Sequence, residues 1–599
     1  MPAPVRLEQL GLIGNCQFSA LVADTGDVVW CCLPRFDSEP VFSALLDSEA
    51  GGRFGVAAAG AEGAPPPRTR FGYLPNSNVL ETIHETADGQ FRVLDFAPRF
   101  EQHGRYFRPT MLVRMLQPVA GTPRARVLCE PMLGWSRRLP ERVQGSNHVD
   151  YAGYESRLRL TTDIPLAYLG GRPFALAAPQ HLVLTWGEPI EEPLPALCER
   201  FLRETLRYWE RWVKQCNIPP QCQAEVIRSA LALKLHCFED TGAIVASTTT
   251  SIPESPGSTR TWDYRYCWLR DSYYVLGALR RLGQFEERER FVHFLVDLIA
   301  NRPALDLPPL YRVDGSTAGL DERILEAWPG YCGERPVRVG NAAVGQTQHD
   351  IYGEIVLALA PIFLDDRFRA DRSRHSLELL ERLTHRAIEV AGTADAGIWE
   401  FRRRQSQPQT FSTLMCWAAA DRMAKVADVH LPEKAEGYRR AAARIHALIT
   451  EQAWNPALGA FSSVHGGSDL DASLLQMATL RFLPVDDPRL HTTVDRLSHD
   501  LAHEGWLFRY RAADDFGKPT VAFILCTFWL VEALAALGRA AEAREVLERA
   551  RKAPSPLGLL SEDFATRDLR MWGNFPQAYS HVGLIHAAFA ASPRWSDVL

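Results

Sequence analysis

Three segments of this 599-residue chain carry side chains suited to chemistry. The first, Thr259 to Tyr274, reads T-R-T-W-D-Y-R-Y-C-W-L-R-D-S-Y-Y and holds six aromatics, three arginines and two aspartates. A pyranose ring has apolar C–H faces that lie flat on Trp or Tyr, and a rim of hydroxyls that pairs with charged groups. Arg270 and Asp271 can donate to one hydroxyl and accept from the next. The same residues also suit a buried helix start with aromatic packing and one ion pair. The second segment, A-G-I-W-E-F-R-R-R, places Glu400 beside Trp399. An apolar wall disfavours the charged carboxylate and raises its pKa, as a general acid near neutrality requires. A surface Glu400 paired with Arg402 or Arg403 is the other reading. The third, P-L-G-L-L-S-E-D-F-A, delivers Glu562 and Asp563 from the end of an apolar run. Either acid could carry a role there, or Ser561 could cap a helix.

Two carboxyls facing each other across a pocket are the equipment for glycoside hydrolysis. Glu400 and Glu562 are 162 positions apart, so only a closed fold unites them. A further polar stretch, V-G-N-A-A-V-G-Q-T-Q-H-D-I-Y-G-E, offers Gln346, Gln348, His349 and Asp350 ahead of an apolar helix. They are candidates to line the pocket, and Thr347 to cap the helix.

Other chemistries lack their signatures. No G-x-S-x-G elbow, phosphate-binding G-x-x-x-x-G-K-[ST] or H-E-x-x-H ligand set occurs. The 12 cysteines are scattered without C-x-x-C pairs and read as reduced thiols, so no metal or cofactor is expected. A net charge of −6 argues against nucleic acid or anionic membrane as partner. No apolar run approaches the ~18 residues of a membrane span, and the N-terminus M-P-A-P-V-R-L-E-Q-L lacks a secretory apolar core. A cytoplasmic location is the expectation.

These segments need elements to position them. Up to residue 194 the chain alternates in short runs broken by Gly, Pro and Asn, the pattern of an antiparallel β-sandwich. The runs are Ser19–Trp30 around a turn at Asp24–Asp27, Val79–His84, Phe91–Phe96, Thr110–Pro118, Ala125–Pro131, Ser156–Thr161 and His181–Trp186. Ala58–Pro67 reads as a surface loop. Residues 195–220 read as a linker helix. From 221 to 599 helical periodicity dominates, with starts near Gln223, Arg270, Phe285, Thr347, Ser373, Thr410, Pro432, Ala472, Pro488, Thr520, Ala540 and Phe575. A dozen helices with long loops predict a toroid of paired helices whose loops at one end form a pocket. Val521–Ala536 is apolar all round, as an inner helix must be.

Taken in order, the motifs resemble glycoside hydrolase family 15, which holds glucoamylases, trehalases and related exo-acting α-glucosidases. The resemblance runs from L-I-G-N-C-Q-F-S-A-L-V and W-C-C-L-P-R-F-D-S-E-P-V-F-S-A-L-L-D to G-N-F-P-Q-A-Y-S-H at residues 573–581. It implies an N-terminal β-sandwich, a helical linker and a catalytic (α/α)6 barrel. It implies inversion, with Glu400 as general acid, Glu562 as general base, and Arg270 and Asp271 gripping a glucose between Trp268 and Trp399. It also implies that the Phe36-Asp37 loop reaches over the barrel mouth. One departure stands out: relatives carry Thr-His-Ser-Lys where this chain has Thr410-Phe411-Ser412-Thr413. The implied substrate is a small α-glucoside, and the lack of a secretory apolar core puts trehalose, a cytosolic sugar, ahead of maltooligosaccharides and α-1,6 linkages. A disaccharide phosphorylase and a non-catalytic sugar-binding protein remain as other classes.

Overall fold

The computed structural model describes residues 5–60, 66–300, 302–402 and 406–599. Two antiparallel sheets form the N-terminal part. The first runs Leu10–Gly14, Ser19–Ala23, Asp27–Cys32, Arg53–Ala58, Arg124–Glu130, Phe174–Ala175, with Pro40–Phe42 paired to Asp27–Cys32. The second runs Glu141–Gln144, His148–Ala152, Leu158–Thr162, Gln180–Trp186, Met111–Gly121, Gly89–Phe96, Leu80–Thr86, Arg68–Tyr73. Each run of alternation overlaps one of these strands or a hairpin, with ends that differ by up to three residues. In the hairpin after Ser19, Gly26 has φ +90°, and a Cβ there would sit 2.1 Å from the Val56 carbonyl oxygen. Of the expected Ala58–Pro67 loop, Ala58 closes a strand, and residues 61–65 lie outside the described residues.

The second sheet is covered on both faces, and the period of two shows how. Leu112 and Leu184 pair in register and turn into the core between the sheets. Their neighbours Val113 and Val183 face the other way, onto helix α1 (Leu194–Lys214). Leu194, Leu197, Cys198 and Phe201 of α1 pack there, while Trp209, Trp212 and Val213 enter the core of the helical part. One amphipathic helix thus joins the two cores.

Twelve further helices follow: α2 (Gln223–Lys234), α3 (Leu269–Leu282), α4 (Phe285–Ala300), α5 (Asp350–Leu364), α6 (Arg374–Val390), α7 (Thr410–His430), α8 (Pro432–Gln452), α9 (Gln476–Leu480), α10 (Pro488–Asp500), α11 (Ile524–Ala536), α12 (Ala540–Ala550) and α13 (Ala578–Ala591). The contacts close a ring: α3 packs on α5, α5 on α7, α7 on the 3-10 turn Ala472–Leu475 that leads into α9, α9 on α11, α11 on α13, and α13 on α3. The alternate helices cover it from outside, giving an (α/α)6 barrel. Helices α5, α11 and α13 are buried nearly all round because both the ring and the outer layer cover them. The helix expected from Thr520 begins at Ile524. Residues Ala522–Phe523 instead pair with the short strand Asp563–Ala565 and bring Glu562 to the barrel mouth. Among the described residues no helix is long and apolar enough to cross a membrane.

A buried ionic cluster ties the two parts together. Arg99 Nη1 donates to Glu239 Oε2 at 2.9 Å, and Lys234 Nζ lies 2.6 Å from Glu239 Oε1 and 2.7 Å from Glu287 Oε1. Burial disfavours the Glu239 carboxylate, but Lys234 and Arg99 overcome it and hold its pKa far below the usual range. Glu239→Gln is expected to cost about 3–5 kcal/mol, because two buried cations lose their shared counter-ion. A drop in Tm at pH 7 would register it. The sign follows from the depressed pKa: the charge stabilises above the unfolded value of about 4.3 and ceases to as pH falls through the folded pKa.

Candidate active site

The N-terminal ends of the inner helices and the loops above them enclose a cleft of about 840 Å³, counted to its open mouth. Trp268, Arg270 and Asp271 reach it from the start of α3. That start is fixed because Cys267–Trp268 pair with Leu310–Tyr311 before the helix begins. Arg270 Nε is 3.3 Å from Asp271 Oδ1, and Nη1 donates to Gln348 Oε1 at 3.3 Å. Burial raises the Asp271 pKa to about 6 against the pull of Arg270.

Glu400 enters from the loop before α7. Its backbone is left-handed, φ +61°, a conformation that side-chain-bearing residues seldom adopt. The loop is tied down by Asp395, which accepts from the N–H groups of His349 (2.9 Å) and Gly397 (3.2 Å) and from the Ser412 hydroxyl (2.7 Å). Glu400 Oε1 accepts from Trp268 Nε1 at 2.7 Å and from Arg270 Nη2 at 3.3 Å. The carboxyl is one-fifth exposed and faces the cleft. The apolar wall expected from Trp399 is thus replaced at the carboxyl by two donors. Trp399 lines the cleft nearby, its N–H donating to Asp471 Oδ2 at 2.7 Å. Arg402 pairs with Glu322 at 2.7 Å at the mouth, and Arg403 lies outside the described residues.

Glu562 comes from across the ring and is 1% exposed. Its Oε1 accepts from the Tyr264 hydroxyl at 2.9 Å, and Oε2 has no hydrogen-bond partner. Gly573 packs on it so closely that a Cβ there would lie 2.6 Å from the Glu562 Cβ. Burial and the neighbouring Glu254 push the Glu562 pKa up to about 8, against Arg509 and the Tyr264 hydrogen bond. Asp563 is raised as well, by burial and by Glu562, so the two titrate as a pair. Glu562 lines the cleft and Asp563 is not among its lining residues, which separates the two rivals. Ser561 caps no helix; its hydroxyl donates to the Asp563 carbonyl at 2.8 Å.

Glu254, Glu562 and Asp563 bring carboxylate oxygens within 4.8 Å of one another, the one such acidic grouping among the described residues that could hold a cation. Positive charge is already supplied there: Arg509 Nη2 donates to Glu254 Oε2 at 2.5 Å, and Arg260 Nε lies 3.8 Å from the same oxygen.

Some expected residues stand elsewhere. Gln348 is buried behind Arg270 and does not line the cleft; Gln346 does, its amide donating to the Glu400 carbonyl oxygen at 3.0 Å. Thr347 does not cap α5, whose first turn follows His349. Phe36 and Asp37 do not line the cleft either. Phe36 packs edge-on to Phe238 with centroids 6.2 Å apart, and Asp37 is taken up by Arg35 (3.0 Å) and Arg312 (3.1 Å). That loop braces the barrel loops from behind, with Arg265 Nη1 donating to the Ser38 carbonyl at 2.6 Å. The departing run Thr410–Thr413 is buried in the first turn of α7 and also stays off the cleft wall. Conversely, Glu254, Tyr264 and Arg509 belong to the site and were not singled out. Tyr264 lies inside the aromatic motif, whereas S-I-P-E-S-P and F-R-Y-R carry no local sign of a shared pocket.

The profile of glycosyl hydrolases family 15 matches residues 222–589, and that of the trehalase-like N-terminal domain matches residues 2–147. The chain is 34% identical to a trehalase of Mycobacterium tuberculosis, over 96% of this chain and 88% of that protein. It is 30% identical to a trehalase of Thermoplasma volcanium, over 97% and 93%. Among solved structures, a bacterial glucoamylase complexed with acarbose superposes with TM-score 0.69 at 14% identity, covering 98% of this chain and 94% of that one. At that identity the last comparison speaks for the fold alone.

Proposed function

The chain belongs to family 15 of the glycosyl hydrolases, and from that premise and the geometry of the cleft we propose that it hydrolyses trehalose with inversion. The observation that carries the reading is that Glu400 and Glu562, from opposite sides of the ring, face one enclosed cleft. Glu400 protonates the glycosidic oxygen as the bond to the anomeric carbon breaks. Glu562 takes a proton from a water that attacks the same carbon from the opposite face. One glucose leaves as the β anomer and the other retains its α configuration. Arg270 and Asp271 grip hydroxyls of the glucose that is attacked, and Trp268 and Trp399 supply its apolar walls. Arg270 is itself held by Gln348. Trehalose as substrate is supported by near-full-length similarity to trehalases. A reducing compartment such as the cytoplasm is supported by the 12 free thiols, ten of them buried.

The test is glucose release from trehalose and from maltotriose, without added phosphate, with the product anomers followed by NMR. Trehalose is expected to be cleaved with α- and β-glucose appearing in equal initial amounts, and maltotriose poorly or not at all. β-Glucose from maltotriose alone would replace trehalose by a glucoamylase-type substrate. Cleavage that depends on phosphate would replace hydrolysis by phosphorolysis.

The base also sets a pH dependence. Glu562 must be ionised to act, and the Tyr264 hydroxyl stabilises its ionised form. Tyr264→Phe removes a hydrogen bond to a charged group, worth about 1.5–3 kcal/mol and thus about 1–2 pKa units. The Glu562 pKa rises, so the acid limb of the kcat/KM profile is expected to move to higher pH. An unmoved limb would detach Tyr264 from the base.

A further inference from the structure

One side of the cleft mouth is built by a tight turn. The Asp514 N–H donates to the Gly517 carbonyl oxygen at 3.1 Å and the Gly517 N–H to the Asp514 carbonyl oxygen at 3.3 Å. Gly517 has φ +97°, so the chain reverses there and leaves Asp515 and Phe516 at the tip. Asp514 Oδ1 accepts from the Phe516 N–H at 2.8 Å and fixes that shape. Arg260 anchors the base of the turn: it pairs with Asp514 and donates to the Gly517 carbonyl oxygen at 2.9 Å. The side chains of Arg260 and Asp514 are only 7% and 5% exposed.

The tip meets two other segments. Asp515 Oδ2 accepts from the backbone N–H of Arg402 at 2.6 Å, two residues beyond Glu400. Phe516 stands edge-on to Trp262, with ring centroids 5.0 Å apart. The Arg402 guanidinium lies 5.3 Å from the Phe516 centroid and 4.9 Å from that of Trp262. Trp262 is oriented in turn by donating to Glu254 Oε1 at 3.2 Å. Residues 260–262, 400–402 and 514–516 thus form one wall, and each segment contributes side chains to the cleft lining.

The chemistry of the cleft says what this wall faces. The attacked glucose lies on the floor, with Arg270 and Asp271, which are 8% and 5% exposed. Glu400 protonates the oxygen that joins the two sugars, so the leaving sugar lies on the mouth side of that carboxyl. There the wall offers apolar rings from Trp262 and Phe516 and charged groups from Arg402 and Asp515, the combination a pyranose needs. We infer that this wall determines specificity for the leaving sugar: Phe516 and Trp262 hold one glucose unit, and the bond from Arg402 to Asp515 closes the mouth against a third unit. That bond also makes Asp515 a positioning residue for Glu400, because it fixes the backbone two residues beyond the acid. The inference rests on the reading of Glu400 as the acid and of trehalose as the substrate.

Phe516→Ala, Asp515→Ala and Asp515→Asn, assayed on trehalose, maltose, maltotriose and α-glucosyl fluoride, test it. The fluoride places a glucose on the floor and carries no leaving sugar. Phe516→Ala is expected to raise KM for trehalose about tenfold, to leave fluoride cleavage near the native rate, and to raise the kcat/KM of maltotriose relative to trehalose about tenfold. Asp515→Ala is expected to lower kcat for trehalose while sparing the fluoride, and Asp515→Asn, whose amide oxygen can still accept from the Arg402 N–H, to restore most of the loss. Both residues stand on a partly exposed turn, so Tm should stay at its native value. Equal losses on trehalose and on the fluoride would overturn the inference, since the wall would then act on the attacked glucose or on the fold. So would a trehalose KM and a maltotriose ratio that Phe516→Ala leaves at native values. A native enzyme that prefers maltose to trehalose would instead correct the substrate reading, and the wall would stand or fall on the same loss of maltose against fluoride.

Discussion

Glu400→Gln should lower kcat for trehalose by about 10²–10⁴-fold, the usual contribution of a positioned general acid. The leaving sugar oxygen is a poor leaving group unless protonated, and the amide has no proton of the needed acidity to give. Its oxygen can still accept from Trp268 Nε1, so the loop and Tm should change little. The control is α-glucosyl fluoride, whose fluoride departs without a proton. The variant should cleave it at close to the native rate. Equal losses on trehalose and on the fluoride would mean that Glu400 does something other than donate a proton, and near-native turnover of trehalose would remove it from the mechanism.

Glu562→Gln should be at least as severe, and on both substrates. Water must be activated whether or not the leaving group needs help, so the fluoride should not rescue this variant. Asp563→Asn is the necessary companion. Asp563 is as deeply buried and feels the charge of Glu562, yet it does not line the cleft. Its loss should cost less than about tenfold and leave the Glu562 pKa close to its native value, since burial and the Glu562 charge already favour the neutral form of Asp563. The acid limb of kcat/KM should therefore stay near its native position in that variant and move up in Tyr264→Phe. If Asp563→Asn is the crippling change and Glu562→Gln the mild one, the base is Asp563. Gly573 explains why the cleft tolerates little adjustment here, because a side chain at that position would displace the Glu562 carboxyl itself.

The places where expectation and structure part have one character. Phe36 and Asp37 are polar and aromatic in a motif-rich loop, and they were expected at the mouth. Their side chains instead complete a buried contact between the sandwich and the barrel loops. Gln348 and Gln346 differ by two positions ahead of a helix, and nothing in their spacing says which one looks into the cleft. The turn before α5 sends Gln346 there and Gln348 to Arg270. Ala522 and Phe523 carry helical periodicity, yet a strand partner at Asp563–Ala565 takes them.

What the sequence determined by itself is what neighbouring residues settle among themselves. Alternation at a period of two located several of the strands, because successive side chains point to opposite faces, whereas Arg53–Ala58 and His148–Ala152 were not singled out. Apolar spacing placed the twelve barrel helices to within a few residues, and all-round apolarity marked α11 as inner. The motif residues Arg270, Asp271 and Glu400 are also local, since each sits at a helix start or a loop whose end faces the mouth. Tertiary structure alone decided which groups meet. Glu254, Tyr264, Arg509 and Glu562 lie hundreds of positions apart in places, and their shared hydrogen bonds and the raised pKa of Glu562 arise only when the ring of six inner helices closes. Burial is a property of the closed ring, and it is burial that turns an ordinary glutamate into one whose proton is held near neutrality.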